Sequence, residues 1–330
     1  MKPLTLSILR LLSDGEFHSG EEMAQQLGVS RASISNALKL VDANSVSIYK
    51  VRGRGYCLAQ PLQWIDPHQV TQALGARANL FNLEVLDVVG STNSILMQKA
   101  SAGAPHASCV VAELQTGGRG RRGRIWHTDL GGALTFSVLW RFNQGAAFLS
   151  GLSLAVGVAV VRALQEFAVT GVALKWPNDV LHGYHKLAGI LIEVQGDVLG
   201  PSAVVIGIGL NVRLNNQTRE CVDQPITDLH AIVGEALDRN VLLARVLIHL
   251  ATVLESFEQD GFVGVRDEWL KMHAYQDKPV RLLMPSGEWR EGHVLDVAED
   301  GALLVNTLQG RQKFTSGEIS LRRAHHDTCN

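Results

Sequence analysis

The spacing of apolar residues over the first 40 positions predicts three short helices. Residues 4–12 are rich in Leu and Ile and stop at a Ser-Asp-Gly turn, as expected for a first helix. A second helix begins after the N-cap residue Ser19 and ends at Gly28, a residue that suits the left-handed backbone of a helix end. A third helix begins at Ser30 and carries three apolar residues on one face: Ile34, Leu38 and Val41. The last two helices form a helix-turn-helix pattern.

The hydrophobic period changes after residue 45. Residues 46–51 and 55–58 alternate like two strands around the turn Arg52-Gly53-Arg54-Gly55, which predicts a β-hairpin or "wing". Gln60-Pro61 and Asp66-Pro67 then mark a boundary. We therefore expect a winged helix-turn-helix domain over residues 1–62.

Strand-like and helix-like segments alternate from about residue 80 to 270. The strand candidates are 84–89, 108–113, 133–141, 186–195 and 203–211, and the helix candidates are 92–101, 147–168 and 240–259. This alternation predicts an α/β or α+β domain with a mixed sheet over residues 63–273. Beyond it, short β runs are broken by Gly- and Pro-containing turns, which predicts a small barrel or sandwich over residues 274–330.

Composition restricts the class of protein. The 330 residues are 46% apolar and 19% charged, which is enough for packed cores and argues against disorder. The formal net charge of −2 gives no overall attraction to nucleic acid or membrane. The most apolar stretch, 146–161, is shorter than the roughly 20 residues that span a bilayer. Arg10 and Asp14 interrupt the short apolar N-terminal run, which is a poor signal peptide, so we expect a cytoplasmic protein.

The cysteine pattern predicts neither a disulfide framework nor a zinc site. The four cysteines lie far apart, without a C-x-x-C pair or a neighbouring His cluster: Cys57, Cys109, Cys221 and Cys329. Free thiols in a reducing compartment are the simplest interpretation. No residues are assigned to a metal site.

The positive charge of the N-terminal part coincides with the second half of the helix-turn-helix pattern. Residues 31–60 hold five Lys and Arg against one acid, whereas residues 1–30 sum to a charge of −2. The second helix of this motif enters the major groove of DNA. We expect contacts to bases or phosphates from Ser30, Arg31, Ser33, Ser35 and Asn36, and to phosphates from Lys39, Arg52 and Arg54. Winged helices also serve as protein-interaction or dimerisation modules, so that alternative remains open.

Residues 117–124, which we call the arginine loop, read Gly-Gly-Arg-Gly-Arg-Arg-Gly-Arg. Mutual repulsion of the arginines and the entropy of the glycines predict a segment that is mobile alone and ordered by an anion. Glycine lets backbone N–H groups close on phosphate oxygens, and arginine adds bidentate contacts. The Walker pattern is absent. An RNA-binding arginine–glycine tract and a plain solvated loop are the competing interpretations.

Four further segments place polar side chains at the ends of predicted elements. Lys175-Trp176-Pro177-Asn178-Asp179 follows an apolar strand, and the segment 186–193 opens another strand with Lys186. The segment 207–211 closes a strand with two glycines, where we expect a ligand to approach the backbone closely. Ser91-Thr92-Asn93 begins a helix. Each is more often a cap or turn when alone, but together with the arginine loop they predict nucleotide activation by positioning and charge neutralisation.

Taken together, these segments resemble the bifunctional biotin–protein ligases that also repress the biotin operon. The resemblance covers nearly the whole chain and is carried by HSGEEMAQQLGVSRASIS (18–35), GRGY (53–56), STN (91–93), GGRGRRGRIW (117–126), KWPND (175–179), KLAGILIE (186–193), GIGLN (207–211) and GEISLR (317–322). It implies a multidomain α+β protein with a class II aminoacyl-tRNA synthetase-like central domain and an SH3-like C-terminal barrel. Lipoate ligases share the central fold but have a different arginine–glycine motif. Leu210 replaces the Ile that is often seen in GIGLN.

The resemblance implies a two-step reaction. Biotin reacts with ATP and Mg²⁺ to give biotinyl-5′-AMP and pyrophosphate, and a lysine of the biotin carboxyl carrier protein of acetyl-CoA carboxylase then accepts the biotin. The implied biotin-binding residues are Ser91, Thr92, Asn93, Gln115, Arg119, Gly120, Arg121 and Lys186, of which Lys186, Arg119 and Arg121 are also implied to be catalytic. The implied ATP- or adenylate-binding residues are Gly118, Arg124, Trp126, Lys175, Asn178, Asp179, Asn211 and Arg322.

The resemblance also implies that the adenylate is a corepressor. Adenylate-ordered loops would favour a homodimer, which binds a two-part operator. Three alternatives remain: a ligase for another acid such as lipoate, a transcription factor that senses biotin without transferring it, and a ligase whose N-terminal domain no longer reads DNA.

Overall fold

The structure is a computed structural model that describes residues 1–39, 41, 46–196, 200–315 and 320–323. Residues 317–319 of the last motif, residues 324–330 of the predicted third domain and Cys329 lie outside the described residues.

The N-terminal part is a helix-turn-helix followed by a hairpin, as predicted. Its elements are α1 (Pro3–Leu11), α2 (Gly20–Gln26), α3 (Arg31–Lys39), β1 (Ile48–Val51) and β2 (Gly55–Leu58). Ser19 and Glu22 form a capping box at the start of α2, and Gly28 turns the chain with a φ of +65°. The first hairpin strand begins at Ile48, two residues later than predicted.

The hairpin is fastened to the start of α2. His18 and Tyr56 exchange two backbone hydrogen bonds, each 2.8 Å long. Gly55 has a φ of +106°, and a Cβ on it would lie 2.0 Å from the carbonyl oxygen of His18. A glycine is therefore required at this position for the wing to close on the helices.

The central sheet is mixed, as predicted. Its strands are β3 (Asn82–Val89), β4 (Ser108–Gln115), β5 (Ala133–Phe142), β6 (Val172–Lys175), β7 (Asp179–His182), β8 (His185–Gly196) and β9 (Ser202–Asn211). The spatial order is β3-β4-β5-β9-β8-β7-β6, and β3–β4 is the parallel pair. β7 was not predicted, because only three residues separate it from β6 at the turn that carries Trp176-Pro177.

Helices cover both faces of this sheet. The helices of the central part are α4 (Pro67–Leu74), α5 (Thr92–Ser101), α6 (Leu152–Gln165), α7 (Asn216–Cys221), α8 (Leu229–Val233), α9 (Arg239–Asp260) and α10 (Val263–Lys271), of which α5 lies on one face and α4, α6 and α9 on the other. Buried Leu139 and Val205 cluster with α5, whereas Trp140 and Ile206 belong to the larger core with α6 and α9. α9 is long and apolar enough to span a bilayer, yet most of it is buried against other elements, as in a core helix.

The predicted helix over 147–168 is wrong at its start. A 3₁₀ turn covers Ala146–Leu149, and α6 begins only at Leu152. Gly151 between them has a φ of +80°, and a Cβ there would lie 2.7 Å from Phe262. The apolar run is thus interrupted at a glycine that packs closely against Phe262, the residue before α10.

The C-terminal part is a five-stranded antiparallel sheet. Its strands are β10 (Pro279–Leu283), β11 (Trp289–Val297), β12 (Leu303–Thr307), β13 (Gly310–Phe314) and β14 (Ser320–Arg323), in the spatial order β13-β12-β11-β10-β14. The buried indole N–H of Trp176 donates to the carbonyl of Gly301 at 2.9 Å, which joins this sheet to the turn between β6 and β7.

A buried ion pair fixes the connection between the N-terminal part and the central sheet. Arg239 and Glu113 pair at 2.9 Å with side-chain exposures of only 3% and 1%. The Glu113 carboxylate also accepts from the backbone N–H of Ile65 at 2.5 Å, and Arg239 donates to the carbonyl of Gln63 at 2.5 Å. The segment between the two parts is therefore held by charge-assisted hydrogen bonds in the core.

Candidate active site

A cleft lies beneath the arginine loop, over the paired strands β8 and β9. Of the predicted residues, those that line it are Ser91, Thr92, Asn93, Gln115, Arg119, Gly120, Arg121, Arg124, Trp126, Lys175, Asn178, Asp179, Lys186, Asn211 and Arg322. Gly118 does not line the cleft. Gly118 is buried, and a Cβ on it would lie 2.5 Å from the carbonyl oxygen of Trp126. Folding thus brings together residues that are up to 231 positions apart in sequence, from Ser91 to Arg322.

One end of the cleft is a network of neutral polar side chains at the start of α5. The side-chain oxygen of Gln115 accepts from the N–H of Thr92 at 2.8 Å. The Ser137 hydroxyl approaches the Thr92 hydroxyl at 2.7 Å and the Asn93 side-chain oxygen at 2.6 Å. The Asn93 amide donates to the carbonyl of Leu191 at 3.2 Å. This end offers hydroxyl and amide groups suited to an uncharged polar head group.

The two glycines of the segment 207–211 line the cleft, as expected for a place of close approach, and each also lies beneath a side chain. A Cβ on Gly207 would lie 2.2 Å from the side-chain oxygen of Asn93, and one on Gly209 would lie 2.3 Å from the indole of Trp126. Gly209 pairs with Gly189 in the β8–β9 register, and a Cβ there would lie 3.2 Å from the same indole. The indole therefore lies on a floor of two paired glycines.

The arginine loop folds back on itself over the cleft. The N–H of Gly120 donates to the carbonyl of Arg124 at 2.7 Å, and the N–H of Trp126 donates to the carbonyl of Gly118 at 2.9 Å. Arg122 reverses the chain in the left-handed region, with a φ of +57°. The guanidinium of Arg121 donates to the side-chain oxygen of Asn178 at 3.2 Å. The loop thus contacts the turn between β6 and β7 on the far side of the cleft.

The opposite end of the cleft is cationic. Lys186 pairs with Asp179 at 2.6 Å, and Lys175 lies 3.9 Å from the same carboxylate. Burial opposes ionisation of Asp179, but Lys186 and Lys175 together hold the pKa of its carboxyl below the ordinary value. Arg322, from β14, also lies close enough to contribute to this field. The buried carboxylate of Asp179 therefore interacts with three cations, Lys175, Lys186 and Arg322.

Burial shifts the pKa values of these cations downward. Desolvation lowers the pKa of Lys175 to about 8, against the attraction of Asp179. It also lowers the pKa of Arg121 and of Arg322, each with a further contribution from neighbouring arginines. A concentration of poorly solvated positive charge is the arrangement expected where negative charge must be bound.

Asn211 holds the backbone that carries Lys186. Its amide donates to the carbonyl of Lys186 at 3.3 Å and to the carbonyl of Thr227 at 3.0 Å. The N–H of Lys186 donates to the carbonyl of Pro225 at 2.9 Å. The segment 224–227 is thereby attached beside the cationic end, where Gln224 and Ile226 line the cleft.

Ser137 and Glu193 do not line the cleft but hydrogen-bond to residues that do, and neither was predicted. Ser137 is a buried hydroxyl between Phe136 and Val138 of the strand β5, and this polar residue in a largely apolar strand was the available signal. Glu193 is the last residue of the segment 186–193. Its partners, Arg119 and Asn93, come from distant parts of the chain and could not be read from spacing.

The predicted DNA-contacting residues are distributed over the surface of the N-terminal part. Exposed members are Ser30, Arg31, Asn36, Lys39, Arg52 and Arg54, whereas Ser33 and Ser35 are half-buried. The Ser30 hydroxyl accepts from the N–H of Ser33 at 3.1 Å, so it caps α3. The guanidinium of Arg54 stacks 4.2 Å from the ring centre of Phe17, which holds the wing residue against the helices.

Comparison with family models accounts for all three parts. Residues 85–211 match the model of the biotin/lipoate A/B protein ligase family, residues 5–57 match an HTH domain, and residues 277–322 match the C-terminal domain of biotin protein ligases. Together with the relatives below, these matches show that the chain belongs to the biotin/lipoate A/B protein ligase family.

Within this family, relatives that match over nearly the whole chain carry names with two activities, ligase and repressor. The bifunctional ligase/repressor BirA of Salmonella typhimurium is 37% identical over 322 residues and covers 98% of each chain. BirA of Escherichia coli is 35% identical over 319 residues, or 97% of each chain. Among solved structures, the biotin protein ligase from Aquifex aeolicus in complex with biotin and ATP is 31% identical with a TM-score of 0.63, over 74% of this chain and 99% of that one.

Proposed function

We propose that the chain is a biotin–[acetyl-CoA-carboxylase] ligase that also represses transcription of the biotin operon. One observation carries the ligase proposal: a single cleft has a neutral hydroxyl–amide end at Thr92 and Asn93, and a cationic end at Lys175 and Lys186. Biotin has a neutral ureido head and an anionic carboxylate on an apolar tail, so its polarity matches the cleft. Relatives that are named as biotin ligases support the same substrate.

In the first step, a carboxylate oxygen of biotin attacks the α-phosphorus of ATP. The bond from that phosphorus to the bridging oxygen breaks, pyrophosphate leaves, and biotinyl-5′-AMP remains. Lys186 faces the charge that builds up on the α-phosphate oxygens, and Asp179 holds its ammonium in place. Arg119, Gly120 and Arg121 close over the acyl phosphate, which excludes water from the mixed anhydride.

In the second step, the amine of a carrier-protein lysine attacks the biotinyl carbonyl carbon. The C–O bond to AMP breaks, AMP leaves with the electron pair, and the nitrogen releases its extra proton to water as the amide forms. We assign adenylate contacts to Trp126, Asn211 and Arg322, with Arg124, Lys175, Asn178 and Asp179 around the phosphate. Gly118 contributes indirectly, because its missing side chain lets the loop approach Trp126.

The donor set does not form a protein site for Mg²⁺. Among the described residues that line the cleft, Asp179 is the only carboxylate, and its oxygens already face two lysines. No group of three His, Cys, Asp or Glu side chains suited to a metal occurs in the described part of the chain. We propose that Mg²⁺ enters with the nucleotide, on phosphate oxygens and water, as is common for this ion.

We further propose that the chain is organised as residues 1–62, 63–273 and 274–330. Each family-model match falls within one of these ranges, which supports the division. The central mixed sheet is consistent with the class II aminoacyl-tRNA synthetase-like fold, and the five-stranded C-terminal sheet with an SH3-like barrel. The exposed basic residues of α3 and the wing support operator binding. We also propose that a homodimer binds the operator, with the adenylate as corepressor, as the resemblance to the bifunctional ligases implies.

The test is a set of three measurements on the wild-type protein. Biotin-dependent exchange of pyrophosphate into ATP tests adenylation, and exchange with lipoate alone would overturn the choice of substrate. Transfer of labelled biotin to an apo carrier domain tests ligation, and failure there with normal exchange would favour a biotin sensor. A footprint on the promoter of its own biotin genes, with and without adenylate, tests repression.

A further inference from the structure

Glu193 lies on the face of β8 that forms the cleft floor. Alternate residues of a strand share a face, so Gly189, Leu191 and Glu193 point the same way. Gly189 lies under the indole of Trp126, and Leu191 lines the cleft. Glu193 is the next position along that face, behind the neutral end of the cleft and in contact with Asn93.

The carboxylate of Glu193 joins two segments that are distant in sequence. Arg119 donates through Nη2 to Oε1 at 3.0 Å and to Oε2 at 2.9 Å. Asn93 donates through Nδ2 to Oε2 at 2.8 Å. Arg119 belongs to the arginine loop and Asn93 to the first turn of α5, so one acid ties the roof of the cleft to its neutral end.

We propose that Glu193 is a positioning residue that holds the arginine loop closed through Arg119 while it orients Asn93 for the head group of the ligand. The identity of that ligand rests on the proposed function. The role of Glu193 in holding the arginine loop closed does not depend on which ligand binds. Four arginines and four glycines oppose ordering of the loop. An opposite charge at the base of the loop offsets part of that repulsion.

The expected effect is moderate, because the pair is partly exposed. The Arg119 side chain is 47% exposed and that of Glu193 is 26% exposed, so solvent screens their attraction. The Asn93 contact is less affected by charge neutralisation, since an amide oxygen also accepts a hydrogen bond. Glu193→Gln therefore removes the ion pair while it retains an acceptor for Asn93.

The experiment combines Glu193→Gln with Arg119→Ala, alone and together. Tryptic cleavage within the arginine loop, quantified by peptide mass spectrometry without ligand, measures loop closure. Release of biotinyl-5′-AMP, followed by chase, measures retention of the ligand. Glu84→Gln is the matched control, because Glu84 pairs with Lys99 on the surface at 2.6 Å and does not line the cleft.

We expect Glu193→Gln to speed both cleavage and adenylate release about fivefold, as expected for loss of a partly exposed ion pair, with a melting temperature close to that of the wild type. In the Arg119→Ala background, Glu193→Gln should not speed cleavage or release further, because Arg119, the partner of Glu193, is already absent. Unchanged cleavage and release, or effects that add in the double variant, would overturn the proposal. A wild type without biotin-dependent exchange would instead overturn the proposed function, and the cleavage assay would still decide the role of Glu193.

Discussion

The indole of Trp126 lies directly on the backbone of Gly209, so close that a Cβ on this glycine would be 2.3 Å from the ring. The indole N–H is buried without a hydrogen-bond partner among the described residues. Lys186 lies 5.5 Å from the centre of the ring. The indole therefore connects the glycine floor with the cation that we assign to catalysis.

Gly209→Ala is expected to displace Trp126 and weaken adenylate binding. The added methyl cannot fit beneath the ring without movement, and overpacking of this kind costs about 1–3 kcal/mol. Equilibrium binding of biotinyl-5′-AMP and tryptophan fluorescence are the measurements. Gly90→Ala is the control, since a Cβ there meets nothing within 4 Å. Equal binding by Gly209→Ala and the wild type would contradict the contact.

Lys186→Met is expected to lower the rate of adenylation by about 100-fold or more, as loss of a positioned electrostatic group does in other enzymes. Asp179 keeps Lys175 as a neighbour, so the fold should persist. Biotin-dependent pyrophosphate exchange and a thermal melt measure the two effects. Lys99→Met, on the surface of α5, is the control for removal of a lysine.

Arg121→Gly should mainly accelerate adenylate release.

Adenylate binding is expected to weaken as the pH rises through about 8, the pKa of Lys175. A bound phosphate favours the charged lysine and raises its pKa, so affinity is highest below pH 8 and falls above it. The other charges that act on this lysine are Asp179, Lys186, Arg124 and Arg322. Calorimetry in buffers of different ionisation enthalpy should show proton uptake on binding near pH 8. Lys175→Met should abolish that uptake; its persistence would show that another group titrates.

Arg239→Met is expected to destabilise the protein by about 3–5 kcal/mol, because it leaves the buried carboxylate of Glu113 without its partner. Chemical denaturation followed by circular dichroism measures the change. Glu255→Gln breaks the exposed pair with Arg77 and should cost less than about 1 kcal/mol. The double variant Glu113→Leu with Arg239→Met should recover part of the loss. A double variant less stable than Arg239→Met would argue against this account.

Arg52→Ala is expected to weaken operator binding on all sequences alike and to reduce the salt slope by about one. The residue is exposed in the wing and does not line the cleft, so ligase activity should not change. Fluorescence anisotropy over a range of salt concentrations measures the slope. Arg311→Ala, an exposed arginine of β13, is the matched control. An unchanged slope would remove Arg52 from the phosphate contacts.

The sequence alone determined the elements whose signals are local. The capping box at Ser19, the turn at Gly28 and the apolar face of α3 depend on neighbouring residues, so the helix-turn-helix was predictable. The long strands of the central sheet were predicted to within a few residues for the same reason. The motifs also identified most residues of the cleft, because the resemblance assigned them position by position.

Only the tertiary structure decided what those residues contact. Gly207 and Gly209 both read as places of close approach, but folding placed Asn93 above one and Trp126 above the other. The Ser150-Gly151 dipeptide is a local signal for the break before α6, but only the fold shows that Phe262 packs against Gly151 there. The partners of Glu193 come from two other segments, 74 and 100 positions away. Such contacts depend on the three-dimensional path of the chain, and sequence periodicity carries no information about that path.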